Sequence, residues 1–91
     1  MSEAGYAVAW TGPAQRALRR LPEKAAAAAV EFIYGSLAEN PHRVGKQLRY
    51  ELAGLHSARR GDYRVIYRVN ADEQAIEIVA IEHRSDAYRP R

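Results

Sequence analysis

The chain has 91 residues, with 14 Lys and Arg against 11 Asp and Glu, one Trp, one Met and no Cys. That length fits a single domain over residues 1–91 and leaves no room for a large cofactor-binding fold; without cysteine there are no disulfides, no thiolate metal site and no Cys nucleophile. His42, His56 and His83 are too scattered for a zinc motif, no run approaches a membrane span, and the opening Met-Ser-Glu-Ala-Gly lacks the order of a signal peptide, so a cytoplasmic protein with no metal or cofactor is expected.

The segment Tyr6–Trp10, bracketed by Gly5 and Thr11-Gly12-Pro13, alternates its larger side chains and reads as a short strand. Pro13 suits the first turn of a helix whose apolar stripe is Ala14, Ala17, Leu18 and Leu21, with Arg16, Arg19 and Arg20 mostly off it. Pro22 interrupts this helix and a second begins. Glu23 complements its positive end, the alanines 25–29 favour it, and Ala26, Val30, Ile33 and Leu37 form its stripe until Asn40-Pro41. His42 then falls in a loop.

From residue 46 the period changes to two. Leu48, Tyr50 and Leu52 alternate with polar residues up to the turn Ala53-Gly54, Leu55 to Arg60 suits a strand, and Gly61-Asp62 is the next turn. Tyr63, Val65, Tyr67 and Val69 alternate with Arg64, Ile66 and Arg68, and a final apolar strand runs from Ala75 to about His83. The order β-α-α-β-β-β-β with short later connections predicts an α+β fold: two N-terminal helices packed on one face of a small, mainly antiparallel sheet, the other face uncovered.

Charge follows the same division. Residues 1–42 are balanced, residues 43–68 hold seven basic against two acidic side chains, and the last 23 residues hold three against five. If Tyr63, Val65, Tyr67 and Val69 turn toward the helices, Arg64 and Arg68 lie on the uncovered face. Five arginines, at 49, 59, 60, 64 and 68, sit on adjoining strands, a pattern suited to phosphate contacts, with Tyr50 or Tyr88 available to stack on bases. His83, Arg84 and Tyr88 form a second group, able to transfer a proton and stabilise an oxyanion, or simply to end a strand and pack. Asp62 sits in a turn, Glu77 and Glu82 lack an obvious acid partner, and no Gly-rich phosphate loop is present.

Leu52-Ala-Gly-Leu-His-Ser-Ala-Arg-Arg-Gly-Asp-Tyr-Arg-Val-Ile-Tyr67, followed by His83-Arg84 and Tyr88, resembles the RelE/ParE superfamily of toxins from type II toxin–antitoxin systems, the RelE branch more than the ParE branch. The resemblance implies a metal-free, ribosome-dependent endoribonuclease (an mRNA interferase) that cuts mRNA in the A site by attack of a ribose 2′-OH on the adjacent phosphorus. It also implies neutralisation by a cognate RelB-like antitoxin, with operator DNA reached only through that complex. On this resemblance Arg64 stabilises the phosphorane, Tyr88 stacks or assists proton transfer, His83 is the candidate acid or base, and Arg59 supplies charge. Where relatives carry strand lysines this chain has Leu55, His56 and Ser57, which leaves Arg59, His56 or Arg49 to replace them. Lys46, Arg60, Arg68, Arg16, Arg19 and Arg20, with Arg84, are the expected RNA contacts. A ParE-like DNA gyrase inhibitor and a non-catalytic corepressor of the antitoxin are the alternatives.

Overall fold

The computed structural model describes residues 5–49 and 54–83. Strand β1 (Ala7–Trp10) leads into helix α1 (Gly12–Arg20), and α2 (Glu23–Phe32) continues through a π-helical segment, Ile33–Leu37. A single helical turn, α3 (Pro41–Val44), precedes strands β2 (Lys46–Gln47), β3 (Leu55–Arg60), β4 (Tyr63–Asn70) and β5 (Ala75–His83). The sheet order is β1-β5-β4-β3-β2, antiparallel throughout except for the parallel pair β1 and β5. No helix among the described residues is long and apolar enough to cross a membrane.

Local chemistry accounts for the element boundaries. The Thr11 hydroxyl accepts a hydrogen bond from the Ala14 N–H at 3.2 Å, Pro13 needs no partner in the first turn, and Arg19 and Arg20 lie at the negative end of α1. Pro22 starts α2, with Glu23 in its first turn. The buried face of the helical layer is Ala14, Ala17, Leu21, Ala29, Phe32, Ile33, Leu37 and Ala38, which closes over Ala58, Tyr63, Val65, Tyr67, Ile76, Ile78 and Ile81 of the sheet.

A bulge fits β5 to this core. Ile66 pairs with Ala80 but Tyr67 pairs with Ile78, leaving Val79 as the extra residue. The shift of one residue lets Ile76, Ile78 and Ile81 all face the helices, which strict alternation would forbid. The Thr11 hydroxyl lies 3.1 and 3.2 Å from the carbonyls of Ile78 and Val79 and joins the start of α1 to the bulge.

Two expectations change. The region of His42 is helical rather than a loop, because Pro41 opens one turn closed by the Val44 N–H on the Asn40 carbonyl at 3.1 Å. The strand expected around Leu48, Tyr50 and Leu52 is paired only at Lys46 and Gln47, with one further bond from the Leu48 N–H to the Leu55 carbonyl; Tyr50 and Leu52 lie outside the described residues.

Candidate nucleic-acid interface

Along β4, Tyr63, Val65 and Tyr67 are buried against the helices while Arg64 and Arg68 are exposed, as period-two alternation requires. Directly paired residues share a face, so the register extends that assignment across the sheet. The charged residues of the uncovered face fall on three of its rows: Arg59, Arg64 and Glu82; Lys46, Ser57, Ile66 and Ala80; and Leu55, Arg68 and Glu77. Arg59 and Arg64 are therefore immediate cross-strand partners.

Each acidic residue on these rows meets one arginine. Arg64 Nη1 is 3.8 Å from Glu82 Oε1, and Arg68 Nη1 is 3.2 Å from Glu77 Oε1. Their side chains are about half exposed, 50% and 53% for Arg64 and Glu82, so water screens both pairs and each is worth roughly 0–1 kcal/mol. Four cations, Lys46, Arg59, Arg64 and Arg68, face two anions on these rows. Arg59 and Arg64 oppose each other with like charge, an arrangement that costs stability in an antiparallel pair. An anion seated between them would relieve it, and a phosphodiester matches the guanidinium fork.

The roles of Glu77 and Glu82 as arginine partners follow from the register of the hairpin and not from their own spacing in the sequence. Pairing the β4–β5 hairpin outward from its turn brings Arg68 to Glu77, and the bulge brings Arg64 to Glu82.

Other expected contacts lie elsewhere. On β3 the open-face positions are 55, 57 and 59, so His56 and Arg60 face the helical layer; this corrects their grouping with Arg64. Arg60 lies over the Phe32 ring, 5.4 Å from its centroid. His56 stacks on Tyr67 at 5.4 Å and meets His42 edge-on at 5.9 Å; its Nδ1 is buried without a hydrogen-bond partner, and burial, then the His42 charge, lowers its pKa from 6.5. The buried Tyr67 hydroxyl donates to the Pro41 carbonyl at 2.6 Å, and burial pushes its pKa up to about 12.

Arg16, Arg19 and Arg20 are exposed on α1, in the helical layer, and form a separate basic surface. Arg49 is exposed beyond β2. His83 pairs with Tyr63, a residue turned toward the helices, so register does not bring it onto the row of Arg64. Arg84 and Tyr88 lie outside the described residues.

The family described as the ParE toxin of type II toxin–antitoxin systems matches residues 8–88. Toxin RelE of Mycobacterium tuberculosis is 58% identical over 84 residues, covering 92% of this chain and 87% of the relative. The chain belongs to the RelE/ParE toxin family. Toxin RelG of the same organism is 49% identical over 84 residues, covering 92% and 97% of the two chains. Among solved structures, the RelBE2 toxin–antitoxin complex of M. tuberculosis contains a chain with a TM-score of 0.89 and 46% identity, covering 93% of this chain and 98% of that one. The archaeal RelE–RelB complex of Pyrococcus horikoshii gives 0.68 and 30%, covering 88% and 96%. The protein is thus a toxin of a type II toxin–antitoxin system, similar to members named RelE, and its helices on one face of a five-stranded sheet are the RelE-like fold.

Proposed function

We propose that this toxin is a ribosome-dependent mRNA endoribonuclease, held inactive by a RelB-like antitoxin. The observation that carries this reading is the cross-strand pair Arg59 and Arg64 on the uncovered face, two like charges whose natural complement is a phosphate. Cleavage proceeds by attack of the ribose 2′-OH on the adjacent phosphorus, giving a cyclic phosphate and a free 5′-OH. Arg64 stabilises the charge on the phosphorane, and Arg59 beside it supplies the second cation where relatives carry lysines. His83 and Tyr88 are the proton-transfer residues to be tested, one at the end of β5 and one beyond the described chain. Lys46 and Arg68 extend the phosphate track on the same face, and Arg16, Arg19 and Arg20 give the ribosome a second basic surface.

Relatives solved as RelB–RelE complexes support a cognate antitoxin as the partner, which would bind as a segment that folds on docking and carry the pair to operator DNA. A gyrase-directed poison is the second reading, favoured by the ParE description of the matching family. Mapping mRNA 5′ ends after induction, with and without active ribosomes, separates the two. Ribosome-dependent cuts within codons, lost in Arg64→Ala, are expected; DNA damage without such cuts would transfer the protein to the second reading.

A further inference from the structure

Helix α1 carries charge of one sign only. It holds Arg16, Arg19 and Arg20 and no Asp or Glu, and all three arginines are exposed. Beside them a shallow groove of about 380 Å³ lies between α1 and α2, with the half-buried Leu18 and Val30 as its floor, Gln15 and Arg19 on the α1 rim, and Trp10 and Tyr34 at one end. No acidic side chain lines this groove among the described residues. On the α2 stripe of Val30 and Tyr34 the preceding acid is Glu23, about 10 Å of helix before Val30, and Glu31 lies on the side of α2 that meets Arg60.

The aromatic end is held in place and yet open. The Trp10 indole N–H donates to the Tyr34 hydroxyl at 2.9 Å, with the ring centroids 6.5 Å apart and the planes tilted by 33°. Tyr34 is nevertheless 55% exposed, the most exposed large hydrophobic side chain among the described residues. Ordering a ring without burying it costs side-chain entropy that packing does not offset. The π-helical segment accounts for the outward turn: Ile33 and Leu37 are buried, and Tyr34, Gly35 and Ser36 between them are exposed.

A planar apolar body joined to an anion matches this surface. The Tyr34 ring offers a stacking face, and the Arg19 guanidinium, which no ion pair engages among the described residues, offers a fork for a phosphate. The Gln15 amide can donate to and accept from the edge of a base. An amphipathic acidic peptide would need a longer apolar track, because a floor of one Leu and one Val is short of the repeated anchors of a docked helix.

From this geometry we propose that the groove between α1 and α2 seats an unpaired base of RNA, which stacks on Tyr34 while Arg19 holds the adjoining phosphate. The inference rests on the proposed docking of the toxin on ribosomal RNA, and it makes the basic surface of α1 a site for single-stranded RNA. Duplex RNA is excluded, because the faces of its bases are already stacked.

Trp10 is the one tryptophan of the chain, so its fluorescence reports on the groove. Full-length toxin is titrated at fixed salt with a single-stranded oligoadenylate, an abasic ribose-phosphate oligomer of the same length, an RNA duplex and an acidic peptide. Saturable quenching by the oligoadenylate is expected, with the abasic oligomer and the duplex weaker by about fivefold or more, the loss of one stacked base. Tyr34→Leu and Arg19→Gln should weaken the oligoadenylate by a similar factor at an unchanged Tm, whereas Tyr34→Phe and Arg64→Ala should not. On programmed ribosomes Tyr34→Leu should raise the toxin concentration for half-maximal cleavage and leave the saturating rate as it is, the reverse of Arg64→Ala. Quenching by oligoadenylate without any cleavage by the wild type would support the groove and sink the nuclease reading. No quenching by the oligoadenylate, equal quenching by the duplex or the abasic oligomer, preference for the acidic peptide, or unchanged affinity in Tyr34→Leu would overturn the assignment.

Discussion

The two faces of the β3–β4 hairpin use the same backbone for opposite ends. On the helix-covered face Ala58, Val65 and Tyr67 are buried, and Tyr67 fastens the sheet to α3 through the Pro41 carbonyl. On the uncovered face Arg59 and Arg64 stand opposite each other, and the ion pairs beside them are half exposed. Packing energy is concentrated on one face and unbalanced charge on the other. Period-two alternation makes the two separable: a substitution on one face should move stability, and on the other it should move activity.

Tyr67→Ala should be the largest breach of the covered face. It removes a fully buried ring and leaves the Pro41 carbonyl without its donor, at a cost of about 3–5 kcal/mol measured by urea unfolding. Gly45→Ala tests the same region from the other side, because a Cβ there would collide with the Tyr67 hydroxyl; a loss of about 1–3 kcal/mol is expected. A neutral outcome for both would show that this corner carries little of the fold.

On the uncovered face, Glu82→Gln should release Arg64 from its intramolecular partner. An exposed pair of this kind is worth roughly 0–1 kcal/mol, so RNA affinity should rise by up to about fivefold with unchanged stability. Weaker binding would mean that Glu82 holds Arg64 in its working position.

The smallest effect concerns pH. His56 is held below its ordinary 6.5, so above that value both the folded and unfolded chains keep it neutral and its contribution to stability is complete. As pH falls below 6.5 the unfolded chain binds a proton that the folded chain resists, and stability is lost until the lowered folded pKa is passed. His56→Phe, which keeps a ring beside Tyr67, should flatten that part of the stability curve. An unchanged slope would place the titration elsewhere.

Much of this division is legible in the sequence, but not all of it. The alternation of Tyr63, Val65 and Tyr67 with Arg64 and Arg68 states the face of every β4 residue directly. On β3 the only large apolar anchor is Leu55, and Ala58 falls three residues later, out of period; Leu-His-Ser-Ala-Arg-Arg therefore does not reveal that Arg59 and Arg60 part company. The uneven spacing of Ile76, Ile78 and Ile81 carries the signature of the bulge, hidden inside a strand that reads as apolar throughout. The alanine run hides the phase of α2, because five identical small side chains do not say which of them touches the sheet; Ala29 is the fully buried one.

The most direct measurement is single-turnover cleavage of mRNA in programmed ribosomes by the wild-type toxin and by Arg64→Ala, with thermal unfolding followed on the same samples. Loss of one preorganised donor to the phosphorane predicts a rate lower by about 100- to 1,000-fold at an unchanged Tm. Cleavage by Arg64→Ala at the wild-type rate would contradict the assignment of the uncovered face to catalysis.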